Sequence, residues 1–282
     1  MLTLPSTLAV ARRPRAFVRV AGPDAEALLQ RLVSNDVAAL GEGESCDALL
    51  LTAKARVIAP LRIVRRGPGA FLLLTEPELG DTVRRHLLRL RLASRAEVAL
   101  EEHPSFLLLG EGAAAGEGEL GVATDDYGVP GLELIAAGEP PADAAPLGDE
   151  ELERLRIRAG TPRFGREVDD RVLPAEAGLV ERAVSFTKGC YPGQEPVARL
   201  HHRGHANRGL RVLELEGSSV PEYDAEVRLG EKVVGRVTSA VREGDGVVAL
   251  AYVRVEVPDD AELTVGGTRA RVAPLSSAAP RP

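Results

Sequence analysis

A cysteine held between glycines, next to a lysine, is the densest chemistry in this sequence. The run Lys188-Gly189-Cys190-Tyr191-Pro192-Gly193-Gln194-Glu195 places a thiol in a segment that can turn sharply on both sides. Gly189 and Gly193 permit tight turns or close backbone approach. Pro196 is tolerated in a first helical turn and Glu195 suits its positive end, so a helix can begin here. The thiolate is the reactive form of cysteine, and its pKa falls beside cations or a helix N-terminus. Lys188 and Arg199 are the cations at hand. Cys190 is therefore a candidate reactive or metal-associated thiol; the alternative is an inert cysteine buried in a turn.

The segment around this thiol is basic. Arg182 to Arg211 holds six Lys or Arg residues, three His and one acid, Glu195, in a chain of net charge −7. Two readings stay open on charge alone. The patch balances acidic neighbours, or it focuses a small anion. Of the three histidines, His201 and His205 have the i, i+4 spacing of a helical metal pair. Gly204 interrupts them, His202 does not help, and no carboxylate or cysteine completes the set. No metal site is expected.

The elements that must position this segment follow from periodicity. Phe17, Val18 and Val20 form a strand, Gly22-Pro23-Asp24 punctuates, and Ala25, Leu28, Leu29, Leu32 and Val33 share one helical face. Residues 49–52, 57–64 and 71–75 read as strands, with a helix over 76–92 carrying Leu79, Val83, Leu87 and Leu90. Short strands follow at 106–109 and 131–136, and Asp149 is expected to cap a helix bearing Leu152, Leu155 and Ala159. Residues 110–118 and 138–148 read as a flexible loop and a connector. From Leu210 onward the runs 210–215, 227–229, 233–238, 247–253 and 263–265 are short, β-rich and separated by glycine turns, which indicates a small barrel or sandwich. The tail 276–282 is expected to be disordered.

Composition sets bounds. At 282 residues, two or three domains are expected. With 44% hydrophobic and 27% charged residues the chain is ordinary for a globular protein with real cores. Aromatics are 3% and Trp is absent, so cores rest on Leu, Val and Ala, and a planar ligand finds few rings to stack on. The acidic balance does not suit a general nucleic-acid binder, and no direct nucleic-acid partner is expected. Two cysteines, Cys46 and Cys190, make no disulfide framework and fit a reduced cytoplasmic compartment. No signal peptide and no run approaching the roughly 20 apolar residues of a membrane helix is visible.

The order of residues around Cys190 resembles the K-G-C-[FY]-x-G-Q-E signature of the YgfZ family, with its trailing A-R and R-G elements at Ala198-Arg199 and Arg203-Gly204. That family includes bacterial YgfZ and related mitochondrial iron–sulfur assembly proteins, and it is kin to the glycine-cleavage T-protein. Similar landmarks stand at Val18–Ala25, Leu32–Asp36, Thr161–Gly165, Leu173–Glu176 and Gly235–Ser239. The resemblance covers nearly the whole chain and is weakest across 93–148. It implies an α+β, T-protein-like fold: two interwoven subdomains around a folate channel over 1–205, with about 51–145 inserted, then a β-barrel over 206–282.

It also implies a ligand, tetrahydrofolate in a central channel. Lys188, Arg199, Arg203 and Arg208 would hold the carboxylates of its tail. Gly189 and Gly193 would allow close approach, Tyr191 would offer a ring face, and Gln194 and Glu195 would recognise pterin nitrogens. The implied role is iron–sulfur cluster assembly or repair, indirectly supporting tRNA modification, with assembly machinery or cluster-containing clients as partners and a monomeric state. One cysteine cannot hold a cluster, which needs about four protein ligands. Cys190 is left as a cluster ligand shared with a partner, a group protecting a transferring cluster, a redox thiol, or part of a non-catalytic scaffold.

The competing reading is aminomethyl transfer to tetrahydrofolate, which needs a carboxylate near the folate nitrogen. T-proteins carry it in a pattern like G-G-x-x-D-D. Aligned with Ala55–Leu61, that pattern puts Ala59 and Pro60 at the Asp positions, and neither can move a proton. Where T-proteins have R-L-E-A-G, Arg158 replaces a folate-contacting Glu. Asp47 stands too early to substitute. No aminomethyltransferase activity is expected.

Overall fold

The computed structural model describes residues 8–135, 138–142, 144–204 and 206–274. In chain order the first elements are β1 (Ala9–Arg12), β2 (Ala16–Ala21), α1 (Ala25–Leu32), β3 (Ser45–Leu51), β4 (Val57–Gly67), β5 (Ala70–Thr75), α2 (Gly80–Leu90) and β6 (Glu97–Glu101). Then come β7 (Ser105–Leu109), β8 (Leu120–Thr124), β9 (Gly131–Ile135), β10 (Ala145–Pro146), α3 (Asp149–Arg158), α4 (Val180–Ala183) and α5 (Gln194–Arg203). The last part is all strand: β11 (Arg208–Leu215), β12 (Glu226–Leu229), β13 (Lys232–Glu243), β14 (Gly246–Arg254), β15 (Leu263–Val265) and β16 (Thr268–Ala273).

Two five-stranded sheets form, ordered β10-β1-β7-β9-β8 and β3-β4-β5-β2-β6. Side-chain alternation explains how they stack. In β5, Phe71 and Leu73 face α1 and α2, packing with Leu28, Leu29, Val83 and Leu87. The intervening Leu72 and Leu74 face the other sheet, packing with Val122 and Ile135. A strand buried on both faces reads as a continuous apolar run, which is what Phe71–Leu74 is. The third unit is a closed barrel, β11-β14-β13-β12-β15-β16; closure leaves no free strand edge to aggregate.

The expected α+β architecture with a terminal barrel is present. The expected insertion at 51–145 is not where the chain divides. Leu51 ends β3 and pairs with Val57 of β4, so a cut there would split one sheet. The nested unit is instead 16–101, because β1 and β7 on either side of it pair with each other, Ala9 opposite Leu109. Asp149 is the first residue of α3 rather than its cap, a position held by Gly148. Strands β1, β6, β8, β10 and β16 were not expected, and the 276–282 tail lies outside the described residues.

Candidate functional site

The thiol loop is a clamp. The Lys188 ammonium donates to the backbone carbonyls of Gln30 (2.7 Å), Val33 (2.6 Å) and Asn35 (3.0 Å), at and just beyond the C-terminal end of α1. Those carbonyls have no helical partners, and a cation there is favoured by the helix dipole. An ammonium has three hydrogens, and all are engaged. Burial pulls this group down to about 8, which still leaves it a cation at neutral pH. The neighbouring Ser34 hydroxyl donates to the Ala183 carbonyl (2.5 Å) and accepts from the Leu49 amide (2.8 Å), and the Ser185 amide donates to the Ser34 carbonyl (3.0 Å). The Ser34-Asn35 landmark is thus the loop's anchor.

Gly193 shows why glycine is needed at the other end. It sits in the left-handed region at φ +84°, and a Cβ there would lie 2.6 Å from the Thr52 carbonyl oxygen. The loop therefore rests directly on the β3–β4 turn. Tyr191 is buried in the cluster that contains Leu49 and Leu51, its hydroxyl has no hydrogen-bond partner among the described residues, and burial pushes the phenol up to about 12.

The remaining candidates face elsewhere. Gly189 and Cys190 are exposed. Gln194 is half-buried in the first turn of α5, and the exposed Arg199 pairs with Glu195 at 2.6 Å. Arg208 pairs with Glu176 (3.0 Å) and lies over the Tyr252 ring at 4.6 Å. Arg203 ends α5, with its side chain outside the described residues, as is His205. His201 and His202 pack on Phe186, at 4.3 and 5.6 Å between ring centres. Among the described residues no group of His, Cys, Asp or Glu is placed to hold a metal ion.

A cavity of about 580 Å³ lies between the two sheets, α3, α4 and Val241 of the barrel. None of the nine expected folate-contacting residues is among the described residues lining it. The reason is geometric: Lys188, Tyr191 and Gly193 face inward to hold α1 and β3, and Glu195, Arg199 and Arg208 are paired on the outside. The loop touches the cavity only indirectly, since Leu49 both packs with Tyr191 and lines the wall.

Charge fills the cavity in pairs. Asp47 accepts from Arg62 (2.9 Å) and Arg182 (2.6 Å), and Asp126 from Arg182 (2.6 Å). Glu76 is held by Arg13 and Arg15 at 2.9 and 3.1 Å, and Arg156 by Glu153 and Glu167 at 2.7 and 3.0 Å. Burial alone would raise the Asp47 and Asp126 carboxyls, but Arg62 and Arg182 outweigh it and hold both below the ordinary range. The cavity is therefore richer in carboxylates than the Ala59-Pro60 replacement suggests. Pro60 does line it, but Ala59 is buried in the core, and Arg158 turns to Glu214 and Glu243 on the barrel.

Two polar atoms in this wall lack a hydrogen-bond partner among the described residues, although Arg13 Nε lies 4.0 Å from the Glu133 carboxylate. Arg13 Nε and the Thr161 hydroxyl are buried without a hydrogen bond among the described residues. A buried polar group left unpaired costs about 1–3 kcal/mol, and a polar ligand can relieve that. At the rim, Arg12, exposed and with no carboxylate partner among the described residues, and Arg163, 3.4 Å from Glu153, add positive charge beside the exposed Asp149 and Glu150. Of these cavity residues, Arg182 and Thr161–Phe164 lay in segments the sequence had marked, and Asp47 and Pro60 had been weighed as carboxylate positions; nothing local singled out Arg13, Arg15 or Asp126.

Comparisons with known proteins agree with this architecture. Residues 207–279 match the family described as CAF17, C-terminal beta-barrel domain. The chain is 30% identical over 283 residues to a "tRNA-modifying protein YgfZ" of Edwardsiella ictaluri, covering 88% of this chain and 85% of that protein. It is 29% identical over 293 residues to an aminomethyltransferase of Rubrobacter xylanophilus, covering 90% and 78%. The crystal structure of glycine cleavage system aminomethyltransferase T from Bartonella henselae superimposes with a TM-score of 0.82 at 20% identity, over 96% of this chain and 86% of that one, and so shares the fold.

Proposed function

The chain belongs to the YgfZ family, and from that premise we propose that it binds tetrahydrofolate in the central cavity without transforming it, in support of iron–sulfur cluster assembly or repair. The observation that carries this reading is the pair of buried polar atoms without a hydrogen bond among the described residues, Arg13 Nε and the Thr161 hydroxyl, in a 580 Å³ chamber whose rim carries Arg12 and Arg163 beside Asp149 and Glu150. The volume is within the range of small-molecule sites, about 300–1,000 Å³. In this reading Arg13 and Thr161 bind polar atoms of the pterin and its linker, Asp126 accepts from ring N–H groups, and Arg12 and Arg163 bind the glutamate carboxylates. When bound, the folate supplies a reduced pterin and one-carbon carrier. The protein's own groups bind, orient and exclude water. Among the described residues no helix is long and apolar enough to cross a membrane. Relatives named for tRNA modification support an indirect role in that process, through cluster-dependent client enzymes.

Isothermal titration of tetrahydrofolate tests the site. Arg163→Ala and Thr161→Val should each weaken binding by about fivefold to tenfold, the loss expected for one hydrogen bond or ion pair. Lys188→Ala should act only through folding. Undetectable binding to the folded wild type, or a binding constant indifferent to both cavity variants, sinks the reading.

The aminomethyltransferase of Rubrobacter xylanophilus favours a second reading, catalysis of one-carbon transfer. Against it, Pro60 occupies the motif position of the carboxylate, and Asp47 and Asp126 are held ionised by fixed guanidiniums, where they cannot give or take a proton near neutral pH. Aminomethylated carrier protein with tetrahydrofolate should give no turnover. Clear turnover would replace the first reading with this one.

A further inference from the structure

Arg156 lines the central cavity, and its partner Glu167 lines a second cleft of about 480 Å³ on the barrel side. This cleft runs between residues 166–172 and strands β13 and β14, and five arginines reach it: Arg166, Arg171, Arg208, Arg236 and Arg254. Three carboxylates, Glu167, Asp169 and Asp224, line it beside them. Glu167 is engaged elsewhere, accepting from the Ser239 hydroxyl (2.6 Å), Arg156 (3.0 Å) and the Arg163 amide (3.0 Å). Asp169 holds Arg171, Asp224 and Glu226 lie 3.4 and 3.6 Å from Arg236, and Glu176 holds Arg208 at 3.0 Å. Arg254 reaches only Glu256, at 3.5 Å, and Arg166 has no carboxylate partner among the described residues. In a chain of net charge −7, this is a local concentration of arginines, and the carboxylate contacts of Arg236 and Arg254 are long, 3.4 Å or more.

The floor is rigid and the wall is aromatic. A Cβ on Gly235 would lie 2.3 Å from the Tyr252 carbonyl oxygen, so β13 and β14 lie flush. The Tyr252 hydroxyl donates to the Glu167 carbonyl at 2.7 Å. Tyr223, 53% exposed, presents its ring with the Arg166 guanidinium 5.7 Å from the centre. A phenol face beside a planar guanidinium is a surface on which a flat heterocycle can stack, and free guanidinium forks bind phosphate oxygens.

We propose that this cleft binds a nucleoside phosphate, its base stacked on Tyr223 and Arg166 and its phosphate held by Arg254 and Arg236. The volume, about 480 Å³, admits one such unit. The unit is a free nucleotide or the terminal nucleotide of a strand, the chemistry being shared. The site is independent of the folate reading. It also gives Arg208 and the Gly235–Ser239 landmark a place that the central cavity does not, since Arg208 packs on the cleft's Tyr252.

Calorimetric titration of the full chain with ADP, and separately with a short 5′-phosphorylated oligouridylate, tests this at low and moderate salt. Binding should weaken as salt rises, and Tyr223→Ala should weaken it by about tenfold, the loss of one stacked base. Arg166→Ala with Arg254→Ala should weaken it further and flatten the salt dependence. These side chains are exposed, and circular dichroism verifies that the variants fold. Binding of ADP alone identifies a free nucleotide as the ligand, and binding of both identifies a strand terminus; either supports the site. No heat with either probe at millimolar concentration and low salt overturns it. So does an affinity unmoved by Tyr223→Ala, or inorganic phosphate competing as well as ADP.

Discussion

The thiol loop and the central cavity are opposites in how they are built. The loop draws its landmarks from one run of sequence, and its lysine, tyrosine and second glycine face inward to fix backbone. The cavity draws single residues from both sheets, two helices and the barrel, and holds them by ion pairs. A contiguous motif, then, marks where the chain must be held in one conformation. It does not by itself mark the ligand's walls. Here the exposed Cys190 is presented by the clamp, and the chamber that suits a small molecule lies behind Leu49.

The largest effect should come from breaking the cavity's charge pairing. Arg62→Met removes a guanidinium bonded to Asp47 at 2.9 Å and to the Ala123 carbonyl at 3.2 Å, and leaves Asp47 beside Asp126 with Arg182 alone between them. Losing one partner of a buried pair costs about 3–5 kcal/mol. Urea unfolding should show that loss, and tetrahydrofolate binding should weaken with it. A double variant, Arg62→Met with Asp47→Leu, should recover part of the stability. If the single change costs under about 1 kcal/mol, the network is solvated and the comparison drawn here is wrong.

A smaller effect should separate the two motif glycines, which look alike in sequence. Gly193→Ala must place a methyl 2.6 Å from the Thr52 oxygen in left-handed backbone. The conformation alone costs about 1–2 kcal/mol and the overlap adds to it, for a total of roughly 2–4 kcal/mol. Gly189→Ala meets nothing within 4 Å and has no positive φ. It should change stability by less than about 0.5 kcal/mol, as surface substitutions do. Equal melting temperatures for the two variants would mean that the loop does not rest on the β3–β4 turn.

Legibility followed the range of the interactions. The apolar face of α1 was readable because Ala25, Leu28, Leu29 and Leu32 recur at helical spacing, and they are buried. Most barrel strands were readable from glycine turns and β-rich runs. Strand β6 was not, since Glu97-Val98-Ala99-Leu100-Glu101 holds only one fully buried residue and pairs at a sheet edge. The role of Lys188 was invisible for a different reason. Its acceptors are main-chain carbonyls 153 to 158 residues earlier, and no side-chain pattern announces a carbonyl. A lysine near a glycine-flanked thiol reads as a ligand contact until the fold brings the end of α1 to it. The cavity arginines were illegible likewise, because their partners, such as Glu133 for Arg15 at a separation of 118 residues, are set only by how the two sheets stack.

The smallest effect tests the seat beneath the loop. Ala55 closes the turn under Gly193, with its amide donating to the Thr52 carbonyl at 2.9 Å, and it takes φ +57°, where a Cβ is disfavoured. Replacing it with glycine relieves about 1–2 kcal/mol of that strain. The same change removes a buried methyl worth about 0.8 kcal/mol, because Ala55 belongs to the cluster around Leu49 and Tyr191. It also adds about 0.4–1 kcal/mol of unfolded-chain entropy. These terms nearly cancel, so Ala55→Gly should shift stability by less than roughly 0.5 kcal/mol in either direction. That balance explains how alanine persists where a T-protein-like turn has glycine. Ala55→Val keeps the strain and adds bulk against Gly193, and should destabilise by about 2 kcal/mol or more. A gain well above 1 kcal/mol for the glycine variant in chemical denaturation would show the methyl contributing nothing, and the loop would then rest on a strained turn rather than a packed one.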